Sequence, residues 1–594
     1  MRCFLFMLIF LLTGSIAVAQ SEQLARNFFD QGEYKKALKI YQDIYEDNPS
    51  NPIIFNGLVS SYQQLEDFKA AEDLLRERMS ASANNPAILI DIGHNYELQQ
   101  NLERAEQFYQ EALQAGESRP NYAYSIARSF EKYSLLDYAV KAYERAMEIN
   151  PAQNFNLQLA RIYGEQGNTE KMFSNYLDLI EDDTKFYSLA NREFSRYITD
   201  DPATEANINF RKLLLKRSQE DPRLLYNQML SWLFVQQHQY DKAFTQERAI
   251  YKRGEKNLQG ILNLALLARE AKQFEVAQEI LTYAIEESPS PAFNLQARHL
   301  LLKLRTETVT SAGLNDLELA FEQLIGEYGV DNETLELQID LANFRAFRRD
   351  KKEAAIALLE NAQELQLSNF EKAKVKMALA DILVIQEKFD QALIYYSQVQ
   401  NLVENDIMAQ DARFKVAKTS YYKGDFEWAK TQLDILKKST SQLIANDAME
   451  LSLLITDNSQ EDSTQTALKK YARADLLAFQ KRNSEAISML DTILETHKGE
   501  SIEDEALYAQ AKLFEYEASY DRAENNYLQI IQSYGNDILA DNAHFYLAEL
   551  YVSKLEHPEK AKTLYEQIIF NFANSIYFTD ARKKYRQLRG DILE

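Results

Sequence analysis

Apolar residues recur along this chain at steps of three and four. In the stretch QGEYKKALKIYQDIYEDNPSN, Tyr34, Ala37, Tyr41 and Ile44 fall on one helical face and Pro49 ends the helix. Ahead of it Leu24, Ala25 and Phe28 mark a shorter helix, with Gly32 at the turn between the two. The same order returns 34 residues on as Leu58, Val59, Tyr62, Phe68, Ala71 and Leu75. Further steps of 34 give Ile92, Gly93, Tyr96, Leu102, Ala105 and Tyr109, then Ile126, Ala127, Phe130, Leu136, Ala139 and Tyr143. The spacing predicts an all-α array of helix pairs, a short helix A and a longer helix B, in place of the roughly four ordinary domains that length alone suggests.

Two such helices approach closely only where a small side chain meets the crossing. Ala37, Ala71, Ala105 and Ala139 are expected there, where a larger residue costs about 1–3 kcal/mol. Tyr41, Tyr109 and Tyr143 are expected beside them, so the tyrosines serve packing first. The small position recurs at 37, 71, 105, 139, 172, 206, 243, 277, 320, 355, 392, 429, 486, 523 and 561, about fifteen units with Ala at all but Met172. Met172 implies a wider crossing or another register. The unit around Ala206, with Phe210 and Pro222, lies in a divergent stretch, 184–235.

Two intervals are long. Ala277 to Ala320 spans 43 residues and predicts an extended helix, a loop and a joint near residue 306. Ala429 to Ala486 spans 57 and predicts an extra helix with an exposed loop over 456–465, within an insertion near 440–480. After Ala320 the intervals lengthen to 35, 37 and 37, then 37 and 38, as helices one turn longer require. The expected organisation is a leader over 1–19, an N-terminal array over 20–305 and a C-terminal array over 306–594. The last segment, ARKKYRQLRGDILE, reads as a solvated cap helix with cations near its C-terminus.

The 34-residue unit, with its order of large, small and aromatic positions, resembles the tetratricopeptide repeat (TPR). The resemblance implies a right-handed superhelical solenoid with helix A lining the concave side, and binding of protein or peptide partners. The C-terminal text, including ADNAHFYLAELYVSKLEHPEKAKTLYEQIIFNF, is similar to the subtype in Gram-negative envelope proteins, among them outer-membrane assembly and cell-division coordinating lipoproteins. The chain departs from the assembly lipoproteins in having no lipid-attachment cysteine. It departs from the chaperone adaptors too, since Glu22 and Arg26 stand where their carboxylate clamp has lysine and asparagine.

The opening MRCFLFMLIFLLTGSIAVAQS has one cation, an apolar run from Phe4 to Leu12 and small residues ending at Ala19, the layout of a signal peptide cleaved after Ala19. Nine apolar residues fall short of the roughly 20 that a membrane span needs, so the mature chain is expected to have no integral span. Removal of Cys3 leaves an exported chain without disulfides. With 66 basic and 90 acidic residues the net charge is -24, a field that repels nucleic acid and anionic lipid.

Candidate chemistry is sparse. The six histidines include no pair at i, i+4, and the mature chain offers no thiol. Phosphate-cradling glycine loops and a G-x-S-x-G elbow are absent from the sequence. DNSQEDSTQTAL starts like a calcium loop but has Asp462 at the glycine place and Leu468 at the bidentate acid. The sequence therefore assigns no catalytic, cofactor or metal residue and no cofactor.

For binding, one helix-A row carries Arg26, Ser60, His94, Arg128 and Arg161, with Tyr124, Glu131 and Lys132 nearby. The candidate concave-face residues are Arg26, His94, Tyr124, Arg128 and Arg161, able to accept a carboxylate or an acidic peptide. The expectation is a non-catalytic scaffold, periplasmic or peripheral to the outer membrane, with protein or peptide partners in the envelope and no nucleic acid. Its alternatives are a cell-wall or glycan-binding protein, or an enzyme with a site on the inserted segments near 292–316 or 455–480.

Overall fold

The computed structural model describes residues 20–81, 85–254, 256–288, 290–438, 441–460 and 465–591. The expected leader over 1–19 lies outside them. Helices joined by short turns make up the described residues, with no strand among them. They form two compact units, Met1–Val276 and Ala277–Glu594.

In the first unit helix A and helix B alternate as the period demands. Residues 20–30 precede Tyr34–Asp47, Pro52–Gln64 precedes Phe68–Ala81, and Ala87–Leu98 precedes Leu102–Ser118. Ala123–Lys132 precedes Leu136–Ile149, and Asn156–Glu165 precedes Thr169–Asp182. Asn51, Asn101 and Asn168 cap helices by accepting from backbone N–H groups left unpaired in the first turn. One residue per A/B turn adopts a left-handed conformation: Gly32 (φ 77), Glu66 (φ 61), Gln100 (φ 61) and Ser134 (φ 58), again 34 apart. Gln100 N–H donates to Glu97 O at 2.8 Å and Asn101 N–H to Tyr96 O at 3.0 Å, a Schellman closure that satisfies the last carbonyls of helix A.

The crossing residues are buried as the size argument requires. Ala37, Ala71 and Ala139 are fully buried, and Tyr41, Tyr109 and Tyr143 pack beside them. Met172 occupies the same position without a shift of register, because helix A brings Gly164 opposite it; a Cβ there would lie 3.2 Å from the Met172 sulfur. At Ala206 the expected register fails by one residue. Asn207 is buried and Ala206 only half-buried, since Asn207 Nδ2 donates to Thr199 O at 2.9 Å and orients the helix by that bond. The divergent unit is tied down by Arg217, whose guanidinium meets Asp178 at 2.7 Å and Glu181 at 2.6 Å.

The second unit starts within the helix Phe274–Glu287 and continues with the long helix Pro291–Thr308, then Leu314–Tyr328. Here the expected small residue is wrong by one turn: Leu317, Phe321 and Leu324 fill the core and Ala320 is half-buried. Leu295 and Leu302 of the long helix supply a wide apolar surface, which a leucine fits better than an alanine. Leu335–Arg348 and Lys352–Gln363, Asn369–Ile385 and Phe389–Leu402, and Ile407–Lys423 and Phe426–Leu436 follow as pairs. Asn369–Ile385 and Ile407–Lys423 have 17 residues each against 13 in Pro52–Gln64 and 12 in Ala87–Leu98, so helix A is about one turn longer where the period lengthens.

The extra helix is Gln442–Gln460. It continues through 456–460, where a loop was expected; residues 461–464 lie outside the described part. Within the helix the polar side chains are satisfied locally: Thr456 and Asn458 donate back to Ser452 O (2.7 Å) and Leu454 O (2.9 Å), and Ser501 Oγ donates to Asn458 Oδ1 at 2.8 Å. Thr466–Phe479 and Asn483–Thr496, Ile502–Tyr516 and Tyr520–Ser533, and Ala540–Ser553 and Pro558–Asn571 complete the pairs. Phe578–Arg589 closes the array with only Ala581 buried. No described helix is long and apolar enough to cross a membrane.

Candidate functional site

The row read from the sequence sits on successive A helices of the first unit. Arg26 belongs to the helical residues 20–30, is 69% exposed and approaches Asp30 at 4.0 Å. Arg128, on Ala123–Lys132, donates to Glu131 at 2.8 Å. The other oxygen of Glu131 accepts from the Tyr143 hydroxyl at 3.0 Å, and Tyr124, 51% exposed, has its ring 6.5 Å from that of Tyr143. Tyr124 and Arg128 thus stand exposed beside the half-buried Glu131 at the A/B seam.

His94, on Ala87–Leu98, is built into the contact with the next repeat. Its ring stacks on Tyr133 at 3.9 Å, and its Nδ1 lies 3.1 Å from Glu97. The Tyr133 hydroxyl donates to Asp91 at 2.6 Å and Lys132 donates to the same oxygen at 3.0 Å. Burial first, and Asp91 next, push the Tyr133 hydroxyl well above the ordinary tyrosine range. His94 therefore joins the Arg128 helix through Tyr133. Arg161 is exposed on Asn156–Glu165 and acts electrostatically on Tyr176 of its own repeat. Among the described residues no bond joins Arg26 or Arg161 to His94, Tyr124 or Arg128.

These cations do not sum to a positive patch. Arg26 and Arg128 each have a carboxylate one turn on, in exposed pairs worth about 0–1 kcal/mol. An arriving carboxylate exchanges one such partner for another at little cost, which suits a reversible contact.

Two features escaped the sequence reading. The first is a recurring bond in which a helix-B tyrosine donates to a helix-A carboxylate: Tyr109 to Glu97 at 2.9 Å, Tyr143 to Glu131 at 3.0 Å, and Tyr527 to Glu515. Its signal was the constant separation of twelve residues in these three pairs. The second is a groove of about 580 Å³ in the second unit, walled by Gln442–Gln460. The 57-residue interval marked the inserted helix, but nothing in the periodicity said which of its faces is open.

The other inserted segment holds a structural ion pair. His299 Nε2 lies 2.7 Å from Asp340 and Lys303 lies 3.3 Å from it, tying Pro291–Thr308 to Leu335–Arg348. Among the described residues no group of His, Cys, Asp and Glu is placed to hold a metal ion.

Residues 23–86 match the family model of the tetratricopeptide repeat. No curated protein matches the chain. Among solved structures it aligns with a chain of "Structure of Naa15/Naa10 bound to HypK-THB" at 15% identity, covering 97% of both chains with a TM-score of 0.29. It also aligns with a chain of "Crystal structure of APC/C hetero-tetramer Cut9-Hcn1" at 16% identity, covering 95% of both with a TM-score of 0.26. At such scores neither alignment carries an argument about function.

Proposed function

We propose that this chain, whose residues 23–86 match the tetratricopeptide repeat, is a non-catalytic scaffold for protein partners, exported to the periplasm of a Gram-negative bacterium. There it serves envelope assembly, secretion or outer-membrane transport, free in the periplasm or peripheral to the outer membrane. The signal-like opening and the absence of cysteine after residue 19 support export. We read it as two arrays, over 20–305 and 306–594.

One observation carries the binding role: Tyr124 and Arg128 stay exposed on a helix A whose other face is fully packed by Ala123, Ile126, Ala127 and Phe130. An exposed aromatic ring beside a cation on a packed helix supports reading this face as a peptide-recognition surface. Its chemistry suits an acidic or carboxylate-bearing segment. Affinity purification of the full chain from envelope extract, beside a variant carrying Arg26→Glu, Arg128→Glu and Arg161→Glu, tests this. Partners captured by the native chain are expected to be lost by the variant. An unchanged set removes the face as the binding site, and no reproducible partner removes the scaffold reading.

A further inference from the structure

Helix Gln442–Gln460 has no counterpart in the repeat, and it turns one face to a groove whose other walls are Ile407–Lys423, Thr466–Phe479 and Ile502–Tyr516. The volume of about 580 Å³ is enough for several side chains. Its lining is mixed. Leu451 lies buried at the base, Phe414, Tyr471 and Tyr508 add aromatic surface, and Tyr516 stands 71% exposed at the rim.

The lining carries three lysines and three carboxylates, and they do not pair one to one. Lys418 donates to Asp475 at 2.6 Å. Lys512 lies 3.7 Å over the Tyr546 ring and 3.3 Å from Glu515, and Lys481 lies 5.6 Å over Tyr516. Asp447 and Glu450, one turn apart on the inserted helix, meet no cation at ion-pair distance among the described residues. Glu450 is open to solvent, yet the surrounding walls raise its carboxyl above the ordinary range; Lys418 opposes this, while Asp447 and Asp475 reinforce it. Asp411 on the neighbouring helix is raised in the same way, by burial first and by Asp381 and Asp447 besides. Two neighbouring carboxylates with no cation at ion-pair distance favour an incoming cation at the wall formed by the inserted helix.

We propose that this groove binds a partner's peptide segment in which a lysine or arginine adjoins apolar side chains. The cation meets Asp447 and Glu450, its aliphatic stem and apolar neighbours lie on Leu451 and Leu454, and Tyr508 and Tyr516 flank it. The proposal rests on the scaffold reading and adds a second surface of opposite preference to the arginine-bearing face of the first unit.

The test is fluorescence anisotropy of the full chain, at physiological salt, with a fluorescein-labelled peptide alternating leucine and arginine and with its glutamate analogue. The arginine peptide is expected to bind and the glutamate peptide to fail. Asp447→Asn with Glu450→Gln is expected to weaken binding by about tenfold or more. Both side chains are exposed, so folding is not at stake; Tyr516→Ala at the rim gives an independent loss. Neutralising the exposed Glu333 and Glu360 by glutamine is expected to leave binding unchanged. The proposal is overturned if the arginine peptide fails to bind, if the glutamate peptide binds equally, or if the two neutralised pairs weaken binding alike. Partners still captured through the N-terminal face in that event leave the scaffold reading standing.

Discussion

The ring of Tyr109 occupies the space that Gly93 leaves by having no side chain: a Cβ on Gly93 would come within 2.4 Å of the ring. Helix A and helix B of this repeat meet through that contact. Tyr109 then reaches past it to donate to Glu97 at 2.9 Å. Gly93→Ala is expected to lower stability by about 1–3 kcal/mol, because a ring held by packing and a hydrogen bond has little room to yield. Gly326 lies in the helix Leu314–Tyr328 with nothing near its missing Cβ. Gly326→Ala is expected to raise stability by about 0.5–1 kcal/mol. Denaturant unfolding of both variants checks the pair, and equal signs contradict it.

The register of the crossings makes a second prediction. Ala105 is 2% exposed and Ala320 half-buried, with Leu317 in the crossing instead. Ala105→Leu should cost about 1–3 kcal/mol by overpacking, and Ala320→Leu less than about 1 kcal/mol. Thermal melts distinguish them.

The left-handed turn residues give a third. Gln100 has φ 61 and ends helix A as glycine would more easily. Gln100→Gly removes a backbone penalty of about 1–2 kcal/mol, partly offset by the greater freedom of glycine in the unfolded chain. The net expectation is a modest rise in melting temperature, and Gly32→Ala, at φ 77, should lower it.

Acid–base behaviour follows from Glu505. Burial first, and Asp504 beside it, push its carboxyl up from 4.5 to about 9. The fold holds this proton more tightly than the unfolded chain does. The resulting stabilisation is fully present below the unfolded value of 4.5 and is lost as pH rises through about 9. Unfolding monitored at stepped pH should show stability declining across that window, and Glu505→Gln should flatten the decline. A native chain that gains stability from pH 5 to 9 contradicts this.

The period, the crossing alanines and the inserted helix were all legible in the residues, because small and aromatic side chains at fixed steps have one good packing. The Ala206 and Ala320 positions were not. There a hydrogen bond from Asn207 and a broad leucine surface on the preceding helix decide the register, and neither leaves a periodic trace. The A/B turns were legible where glycine stands, as at Gly32, Gly167 and Gly424; Glu66, Gln100 and Ser134 are held left-handed by the closure of their helices. The candidate row was legible as positions, but the acidic partners of Arg26 and Arg128 and the stacking of His94 on Tyr133 emerge only when the helices are placed.

The proposed seat of a protein partner is the exposed helix-A face of the first unit. Hydrogen exchange of the full chain, alone and with a partner it captures, tests this most directly. A partner seated there adds protection over Ala87–Leu98 and Ala123–Lys132 and the turns that end them. Protection confined to the B helices Leu102–Ser118 and Leu136–Ile149, with these A helices unchanged, contradicts it.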